Sequence, residues 1–382
     1  MVTKKHIAFF TENLYGGGVE RILQTILRYF DYNRFDVTLY SNKCEDVDPL
    51  LYPFDVHYHY VFDSIHNTDN PIRVLFKKIC NKIKLIIYYN FSARLFYSLF
   101  IRKRYEVGIA FIEGYATRIL SGAPSSMRKV AWIHIELSTY HWTKVAYRSV
   151  AEESDTYSLI NKVICVSKIV KSQFEDLFGY HDKALVIYNP IDRNLIIELS
   201  KKYRDSIHKK HDIQISAVGS LTKRKGFDRL LSVLYDIVSE GIDCGLWIIG
   251  EGVEKQELER TIMERNLVMY ADLLGYKSNP YPYMAASDIY VCSSFAEGYN
   301  TAITEALILG KPIVSTDCSG VREQLGDSEY GIVVENDNKS LLKGLQLMVR
   351  DSSIRQHYSF KASERGLFYC AEDVVAEIED LL

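Results

Sequence analysis

Short, continuous apolar runs alternate along this chain with longer segments in which apolar residues recur every three or four positions. Continuous apolar runs are typical of parallel strands covered on both faces, and the longer spacing is typical of the helices that cover them. The pattern therefore predicts an α/β fold built on parallel sheets. The predicted strands lie at residues 6–10, 35–40, 56–61, 107–112, 130–135, 163–166 and 184–188, and then at 213–218, 244–249, 271–274, 289–292, 312–315 and 331–334.

The strands fall into two groups, and the chain between the groups is polar. It turns at Asn189-Pro190 and then passes through a charged stretch at residues 201–211. A length of 382 residues also exceeds what one hydrophobic core usually holds. We therefore predict two parallel-sheet domains, with residues 1–190 in the first and the link between them in this polar stretch.

Composition, charge and cysteine usage narrow the class of protein. The chain is 47% hydrophobic and 25% charged, an ordinary soluble mixture, and its net charge of −3 argues against a nucleic-acid binder. Its seven cysteines show no C-x-x-C spacing, so we expect a reducing compartment and no structural metal. No run reaches the ~18 apolar residues of a membrane span, and no secretion signal precedes the first strand. We predict a cytoplasmic protein.

The segment from Phe295 to Ala306 carries two carboxylates, Glu297 and Glu305, across a predicted loop-to-helix junction. The first amides of a helix lack internal partners and carry partial positive charge, which suits a diphosphate. Along a helix the two carboxylates would lie about 12 Å apart, so that one can bind a hexose hydroxyl and the other a ribose hydroxyl. The alternative is an ordinary crossover with two solvated glutamates. The predicted anion-binding amides are those around Gly298, Tyr299, Asn300 and Thr301.

Two further segments follow predicted strands at the carboxyl end, where α/β proteins form their sites. Gly16, Gly17 and Gly18 come after the first strand and open an amphipathic helix, which allows a ligand close to the backbone or makes a tight turn. A dinucleotide fingerprint would need a glycine where Arg21 stands, so an NAD site is weakly supported. In the second domain, a cluster of cations follows the strand at 213–218; it consists of Lys223, Arg224 and Lys225.

His134 and Glu113 also lie at predicted strand ends in the first domain. A lone histidine in an apolar setting is more often a satisfied structural residue, and a site role for His134 needs support from elsewhere. Glu113, followed by a glycine, is a weaker candidate for contact with a substrate.

The paired glutamates resemble the signature of the retaining glycosyltransferases of family four, and this resemblance extends over most of the chain. It implies the GT-B fold, in which two Rossmann-like parallel-sheet domains face a cleft. It further implies domains at residues 1–190 and 191–365, and a C-terminal helix within 366–382 that crosses back to the first domain. We therefore expect the first domain on the acceptor side and the second to bind the nucleotide sugar.

The resemblance also implies roles for single residues. Glu297 meets the donor sugar and Glu305 the ribose, while Lys225 binds the donor phosphates together with the turn at Gly219. His134 lies near the reacting bond. The family usually has an arginine where this chain has Ser220, so that Arg224 or Lys223 compensates, or diphosphate binding is weaker. The remaining segments implied to contact the donor are the glycine loop Gly16, Gly17 and Gly18, and the base-packing pair Gly275 and Tyr276.

The activity that follows is transfer of a hexose or N-acetylhexosamine, with retention, from a UDP-linked donor to a glycan or lipid-linked acceptor in surface polysaccharide synthesis. No metal or other cofactor is expected, and the pair Asp46 and Asp48 is interpreted as a solvated acidic loop. Alternatives are a sugar-nucleotide epimerase of the same fold and a non-catalytic sugar-nucleotide binder. A pyridoxal phosphate phosphorylase would need a Schiff-base lysine that the sequence does not mark.

Residues 71–104 combine basic and aromatic residues without any acid. This composition suits attachment to an anionic membrane surface, and we predict peripheral attachment at the inner face. Nucleic acid is disfavoured, because no second basic segment of this size is present. The third interpretation is a surface helix whose apolar side joins the core.

Overall fold

The computed structural model describes residues 4–15, 17–42, 52–53, 55–65, 69–101, 103–138 and 141–382. The chain forms two compact units. Unit 1 comprises the chain up to Tyr188 together with Glu372–Leu382, and unit 2 comprises Asn189–Ala371. The boundary between the units therefore lies beside the predicted turn at Asn189-Pro190.

Unit 1 contains a seven-stranded parallel sheet in the order β3-β2-β1-β4-β5-β6-β7. The strands are β1 (Lys5–Thr11), β2 (Phe35–Ser41), β3 (Val56–Tyr60), β4 (Val107–Ala110), β5 (Arg128–Ile133), β6 (Lys162–Cys165) and β7 (Ala184–Val186). The helices are α1 (Gly18–Tyr29), α2 (Pro71–Asn90), α3 (Ala93–Phe100), α4 (Tyr115–Ser121), α5 (Val150–Ser158) and α6 (Lys168–Phe178), with a 3₁₀ turn at Trp142–Ala146.

Unit 2 contains a six-stranded parallel sheet in the order β10-β9-β8-β11-β12-β13. The strands are β8 (Ile213–Val218), β9 (Cys244–Ile249), β10 (Ala271–Gly275), β11 (Ile289–Cys292), β12 (Ile313–Thr316) and β13 (Ile332–Val334). The helices are α7 (Arg193–Lys201), α8 (Phe227–Ser239), α9 (Lys255–Glu264), α10 (Tyr281–Ala286), α11 (Thr301–Ile308), α12 (Val321–Leu325), α13 (Asn338–Arg350) and α14 (Ser352–Gly366), and 3₁₀ turns lie at Arg204–Ser206 and Lys223–Lys225.

The final helix, α15 (Ala371–Leu381), packs in unit 1 rather than in the unit that precedes it. Glu379 accepts hydrogen bonds from the Asp31 amide at 2.6 Å and from Arg34 at 3.0 Å. Lys5 donates to the carbonyl of Leu382 at 2.6 Å. The chain thus leaves unit 2 after α14 and returns to unit 1. The segment 366–382, predicted to return to the first domain, begins at the last residue of α14, Gly366.

The predicted fold class is confirmed, because both sheets are parallel and each predicted apolar run forms a strand. In each sheet the first strand lies between neighbours on opposite sides, β1 between β2 and β4, and β8 between β9 and β11. Such a switch point opens a crevice at the carboxyl ends of the strands, where α/β proteins bind ligands. Among the residues that the structure describes, no helix has the length and apolarity to cross a membrane.

Candidate active site

Glu297 lies in the loop between β11 and α11, at the carboxyl edge of the second sheet. Glu297 is only 5% exposed, so it is not a solvated glutamate. One carboxylate oxygen, Oε1, accepts from Lys225 Nζ at 2.5 Å and from Ser294 Oγ at 2.6 Å. The other, Oε2, accepts from Arg224 Nη1 at 2.9 Å. The loop and the cationic turn after β8 therefore meet at one buried carboxylate.

The surroundings of Glu297 keep its carboxyl group ionised. Burial alone would raise the pKa, but the Lys225 ammonium and the Arg224 guanidinium outweigh burial and lower it to about 2. The cluster therefore holds one fixed anion between two fixed cations at neutral pH. Such an arrangement can stabilise opposite charges that develop on two halves of a ligand during bond cleavage.

The three cations of the turn Lys223–Lys225 point in different directions. Lys223 pairs with Glu254 at 2.7 Å, whereas Arg224 and Lys225 both reach Glu297. Ser220 is exposed and carries no charge. Of the two residues proposed to compensate for Ser220, Arg224 is therefore the one that lies at the candidate site. The turn ends at Gly226, where φ is +62° and a Cβ would come within 2.3 Å of the Ser293 carbonyl oxygen, so only glycine fits.

The amino end of α11 is partly occupied by its own side chains. Asn300 caps the helix, because its Oδ1 accepts from the amides of Ala302 at 3.0 Å and Ile303 at 3.4 Å. Asn300 Nδ2 also donates to Glu297 Oε1 at 3.2 Å. Within the described part of the chain, the amides of Asn300 and Thr301 have no acceptor. Sequence reasoning predicted the anion-binding amides but missed this cap, which an asparagine before an apolar helix could have indicated.

Glu305 lies on α11 and is 4% exposed, so it too is buried rather than solvated. Its Oε1 accepts from the hydroxyl of Tyr281, on α10, at 3.2 Å. Gly275 ends β10 with φ +71°, and Tyr276 follows with 56% of its surface exposed. The structure thus places Glu305, on α11, and Tyr276, directly after β10, in the same unit as Glu297.

His134 follows β5 in unit 1. Its ring is parallel to Trp132, with centroids 5.9 Å apart, and its Nε2 lies 2.7 Å from the Phe111 carbonyl oxygen. Because a carbonyl only accepts, Nε2 carries the proton and Nδ1 is the acceptor. Burial lowers the pKa of His134 to about 4, so the ring is neutral at neutral pH. A neutral ring with an acceptor nitrogen can bind a sugar hydroxyl.

Glu113 is 2% exposed, and both of its oxygens accept hydrogen bonds from groups of the protein. Oε2 accepts from the His134 amide at 2.9 Å, and Oε1 accepts from Trp142 Nε1 at 3.1 Å. These bonds fix the backbone that carries His134. Contact of Glu113 with the acceptor stays a prediction.

The glycine-rich loop is described only in part. Gly17 caps α1, and Gly18 is the first helical residue, while Gly16 lies outside the described residues. A Cβ on Gly17 would come within 2.7 Å of the Glu20 carboxylate. Asp46 and Asp48 also lie outside the described residues. In the part of the chain that is described, no group of three or more His, Cys, Asp or Glu is arranged to hold a metal ion.

Two family models together match most of the chain. The model for Glycosyltransferase Family 4 matches residues 16–195, and the model for Glycosyl transferases group 1 matches residues 200–365. The chain belongs to the family 4, group 1 glycosyltransferases. The first match covers β2 to β7, and the second covers the loop with Glu297 and the turn with Lys225.

Two relatives align with nearly the whole length of this glycosyltransferase. It is 28% identical over 378 residues, 94% of each chain, to the N-acetylgalactosamine-N,N'-diacetylbacillosaminyl-diphospho-undecaprenol 4-alpha-N-acetylgalactosaminyltransferase of Campylobacter jejuni. It is 23% identical over 368 residues, 96% of each chain, to the amylovoran biosynthesis glycosyltransferase AmsD of Erwinia amylovora. Among solved structures, HepE of Anabaena, crystallised with UDP and glucose, superposes with a TM-score of 0.78 at 17% identity and covers 99% of each chain. This last likeness supports the GT-B fold.

Proposed function

We propose that this glycosyltransferase moves a hexose or N-acetylhexosamine, with retention, from a UDP-linked donor to a glycan or lipid-linked acceptor in surface polysaccharide synthesis. The observation that carries the proposal is the buried Glu297 between Lys225 and Arg224 at the amino end of α11. Cleavage of the donor leaves negative charge on the diphosphate and positive charge on the sugar ring. The cluster presents two cations and one carboxylate to these two charges.

The mechanism follows from where these groups are fixed. Lys225 and Arg224 are held by Glu297 before any donor arrives, so little reorganisation is needed when charge develops on the leaving diphosphate. The amides of Asn300 and Thr301 add donors from the backbone. Glu297 stabilises positive charge on the departing sugar, and the leaving phosphate takes the proton of the acceptor hydroxyl that attacks the same face. In unit 1, His134 is proposed to contact the sugar through its acceptor nitrogen.

The nucleotide is proposed to bind through Glu305 and the segment Gly275-Tyr276. Solved structures of HepE with UDP and with UDP-glucose support a uridine nucleotide. The acceptor class is supported by the undecaprenol-linked substrate in the Campylobacter relative's name and by the amylovoran pathway of the Erwinia relative.

Calorimetry with UDP, GDP and ADP tests this assignment. We expect selective binding of UDP, weakened about tenfold or more in Glu305→Ala, because one buried hydrogen-bonding carboxylate is worth about 1.5 to 3 kcal/mol. Tyr281→Phe is the matched control, since it removes one hydrogen bond to Glu305 and keeps the carboxylate. Equal UDP affinity in wild type and Glu305→Ala would remove Glu305 from the nucleotide site.

Helix α2 exposes apolar side chains to solvent and turns two of its lysines toward the protein. Apolar side chains at one helical spacing face outward, with 47% to 81% of their surface exposed; they are Ile72, Leu75, Phe76, Ile79, Ile83 and Ile86. On the protein side, Lys77 binds Asp69 at 2.6 Å, and Lys84 binds Asp63 at 2.8 Å. The interpretation that the apolar side joins the core is therefore wrong for α2, in which Tyr88 is the buried residue among those described.

We propose that this apolar stripe contacts the surface of an anionic bilayer. Lys78 and Lys82 are exposed beside it, which complements negative lipid head groups and disfavours a second copy of the same basic surface. The stripe lets the helix lie in the interface plane, with attachment at the cytoplasmic face. Peripheral attachment would bring the protein to a lipid-linked acceptor.

Sedimentation with vesicles of phosphatidylglycerol and phosphatidylcholine tests the attachment. We expect the wild-type protein to bind these vesicles and the double variant Ile79→Asp, Ile83→Asp not to bind them. Lys78→Gln and Lys82→Gln should each weaken binding about fivefold at low salt, because each cation near the surface contributes about 1 kcal/mol. Met263→Asp, at an exposed apolar position of α9, is the control and should bind as wild type. Absence of sedimentation, or self-association that the α2 aspartates abolish, would overturn the assignment.

A further inference from the structure

We infer that Arg229 positions the loop that carries Glu297 and adds a buried positive charge to the donor site. Arg229 lies on α8, is 3% exposed, and belongs to none of the motifs that pointed to this site. The inference rests on the proposed function of that site and adds a residue to it. Arg229 is a positioning residue, since it acts on the donor through the loop and through its charge.

The guanidinium holds two consecutive carbonyl groups after β11. Nε donates to the Ser293 carbonyl oxygen at 2.7 Å, and Nη2 donates to the Ser294 carbonyl oxygen at 2.7 Å. Nη1 donates to Asn336 Oδ1 at 2.8 Å, and Asn336 in turn donates to the Phe295 carbonyl oxygen at 3.0 Å. Three successive loop carbonyls are therefore fixed directly or through one amide.

The fixed loop is the one that orients Glu297. Ser294 Oγ donates to Glu297 Oε1 at 2.6 Å, and the Phe295 amide donates to the Arg224 carbonyl oxygen at 2.8 Å. The same short segment therefore connects Arg229 to the carboxylate and to the cationic turn. A change at Arg229 shifts Ser294 and Phe295, and with them the position of Glu297.

The charge of Arg229 has no carboxylate partner among the described residues. Its hydrogen-bond partners are two carbonyls, the Asn336 amide and the Thr316 hydroxyl, all of them neutral. The Phe295 ring covers the guanidinium at 3.8 Å. Asp228 and Asp337 act on the guanidinium electrostatically but form no ion pair with it in the described structure, so its positive charge is not neutralised by direct contact. With Arg224 and Lys225 against Glu297, the site has an excess of positive charge for a diphosphate.

Two substitutions separate geometry from charge. Arg229→Lys keeps the charge but cannot bind both carbonyls and Asn336 in one plane, whereas Arg229→Gln loses the charge. We expect UDP affinity within about threefold of wild type in Arg229→Lys and about tenfold lower in Arg229→Gln, with UDP-sugar turnover at least tenfold lower in both. The measurements are calorimetry with UDP, turnover at saturating donor and thermal unfolding of the full chain.

Arg355→Gln is the matched control. Arg355 also donates to backbone carbonyls of unit 2, those of Met348 at 2.8 Å and Val349 at 2.9 Å, on helices outside the candidate site. We expect a lower melting temperature in this variant with unchanged UDP affinity and turnover. If the Arg229 variants do not fold, Asn336→Ala removes the exposed end of the same network and should lower turnover without changing UDP affinity.

The outcomes distinguish this inference from the proposed function. Wild-type UDP affinity and turnover in folded Arg229→Gln would overturn the role of Arg229 and leave the proposed function intact. Wild-type turnover in Asn336→Ala, where that variant is needed, would likewise overturn it. A wild-type protein that binds no UDP would overturn the proposed function, and this inference with it.

Discussion

Glu297→Gln is expected to lose sugar transfer by roughly a thousandfold while binding UDP as the wild-type protein does. The carboxylate is buried, and its pKa of about 2 keeps it ionised beside the reacting bond that we propose. Glutamine keeps the size and can still accept from Ser294, but it no longer carries the negative charge that stabilises the departing sugar. Turnover at saturating donor and calorimetry with UDP measure the two quantities separately.

Glu254→Gln provides the control for this substitution. Glu254 pairs with Lys223 of the same cationic turn but does not contact Lys225 or Arg224 in the described structure. Its loss should leave both turnover and UDP affinity near wild type. A Glu297→Gln protein with wild-type turnover would remove the carboxylate from the reaction.

Lys225→Met is expected to lower both UDP affinity and turnover, the latter by roughly a hundredfold. The ammonium is one of two cations at Glu297, and its loss removes charge that the leaving diphosphate needs. Arg224 remains bound to Glu297 Oε2 and keeps part of the site ordered. Lys223→Met, which affects only the pair with Glu254, should leave both quantities unchanged. Full UDP affinity in Lys225→Met would place the diphosphate elsewhere.

The same substitution changes the response to acid. In the wild-type protein the pKa of Glu297 lies at about 2, below the ordinary value of 4.5. Its contribution to stability is therefore present above pH 4.5 and is lost as the pH falls through 2. Without Lys225 the pKa rises toward the unfolded value, so the variant loses less stability in acid than the wild type does. The melting temperature of Lys225→Met should therefore lie below that of the wild type at pH 7, and the difference should shrink as the pH falls below 4.5.

Much of the fold followed from the apolar pattern, because parallel strands buried on both faces form continuous runs. The strands at 213–218, 244–249 and 289–292 have the predicted bounds. The positions of Glu297, Lys225 and His134 could be predicted because each follows such a run, and the carboxyl ends of parallel strands share one edge. Their roles in catalysis remain predictions.

What the sequence did not indicate depends on contacts between distant segments. In the sequence, Arg229 is an ordinary polar position of an amphipathic helix. Only the structure shows that its guanidinium binds the Ser293 and Ser294 carbonyls. In the sequence, Glu113 is a carboxylate at the end of a strand. Only the structure shows that it accepts hydrogen bonds from the His134 amide and the Trp142 indole. In α2 the periodicity identifies an apolar face, but it cannot tell whether that face meets the protein or the solvent.

Proton NMR of donor hydrolysis in the absence of acceptor distinguishes retaining transfer from inversion and from epimerisation. Glycosyltransferases hydrolyse their donors slowly when water replaces the acceptor. With an α-linked UDP-sugar, we expect the first sugar released to be the α-anomer of the donor's own sugar, and we expect its release to be roughly a thousandfold slower in Glu297→Gln. The β-anomer as first product would contradict retention, and a different sugar would identify an epimerase instead.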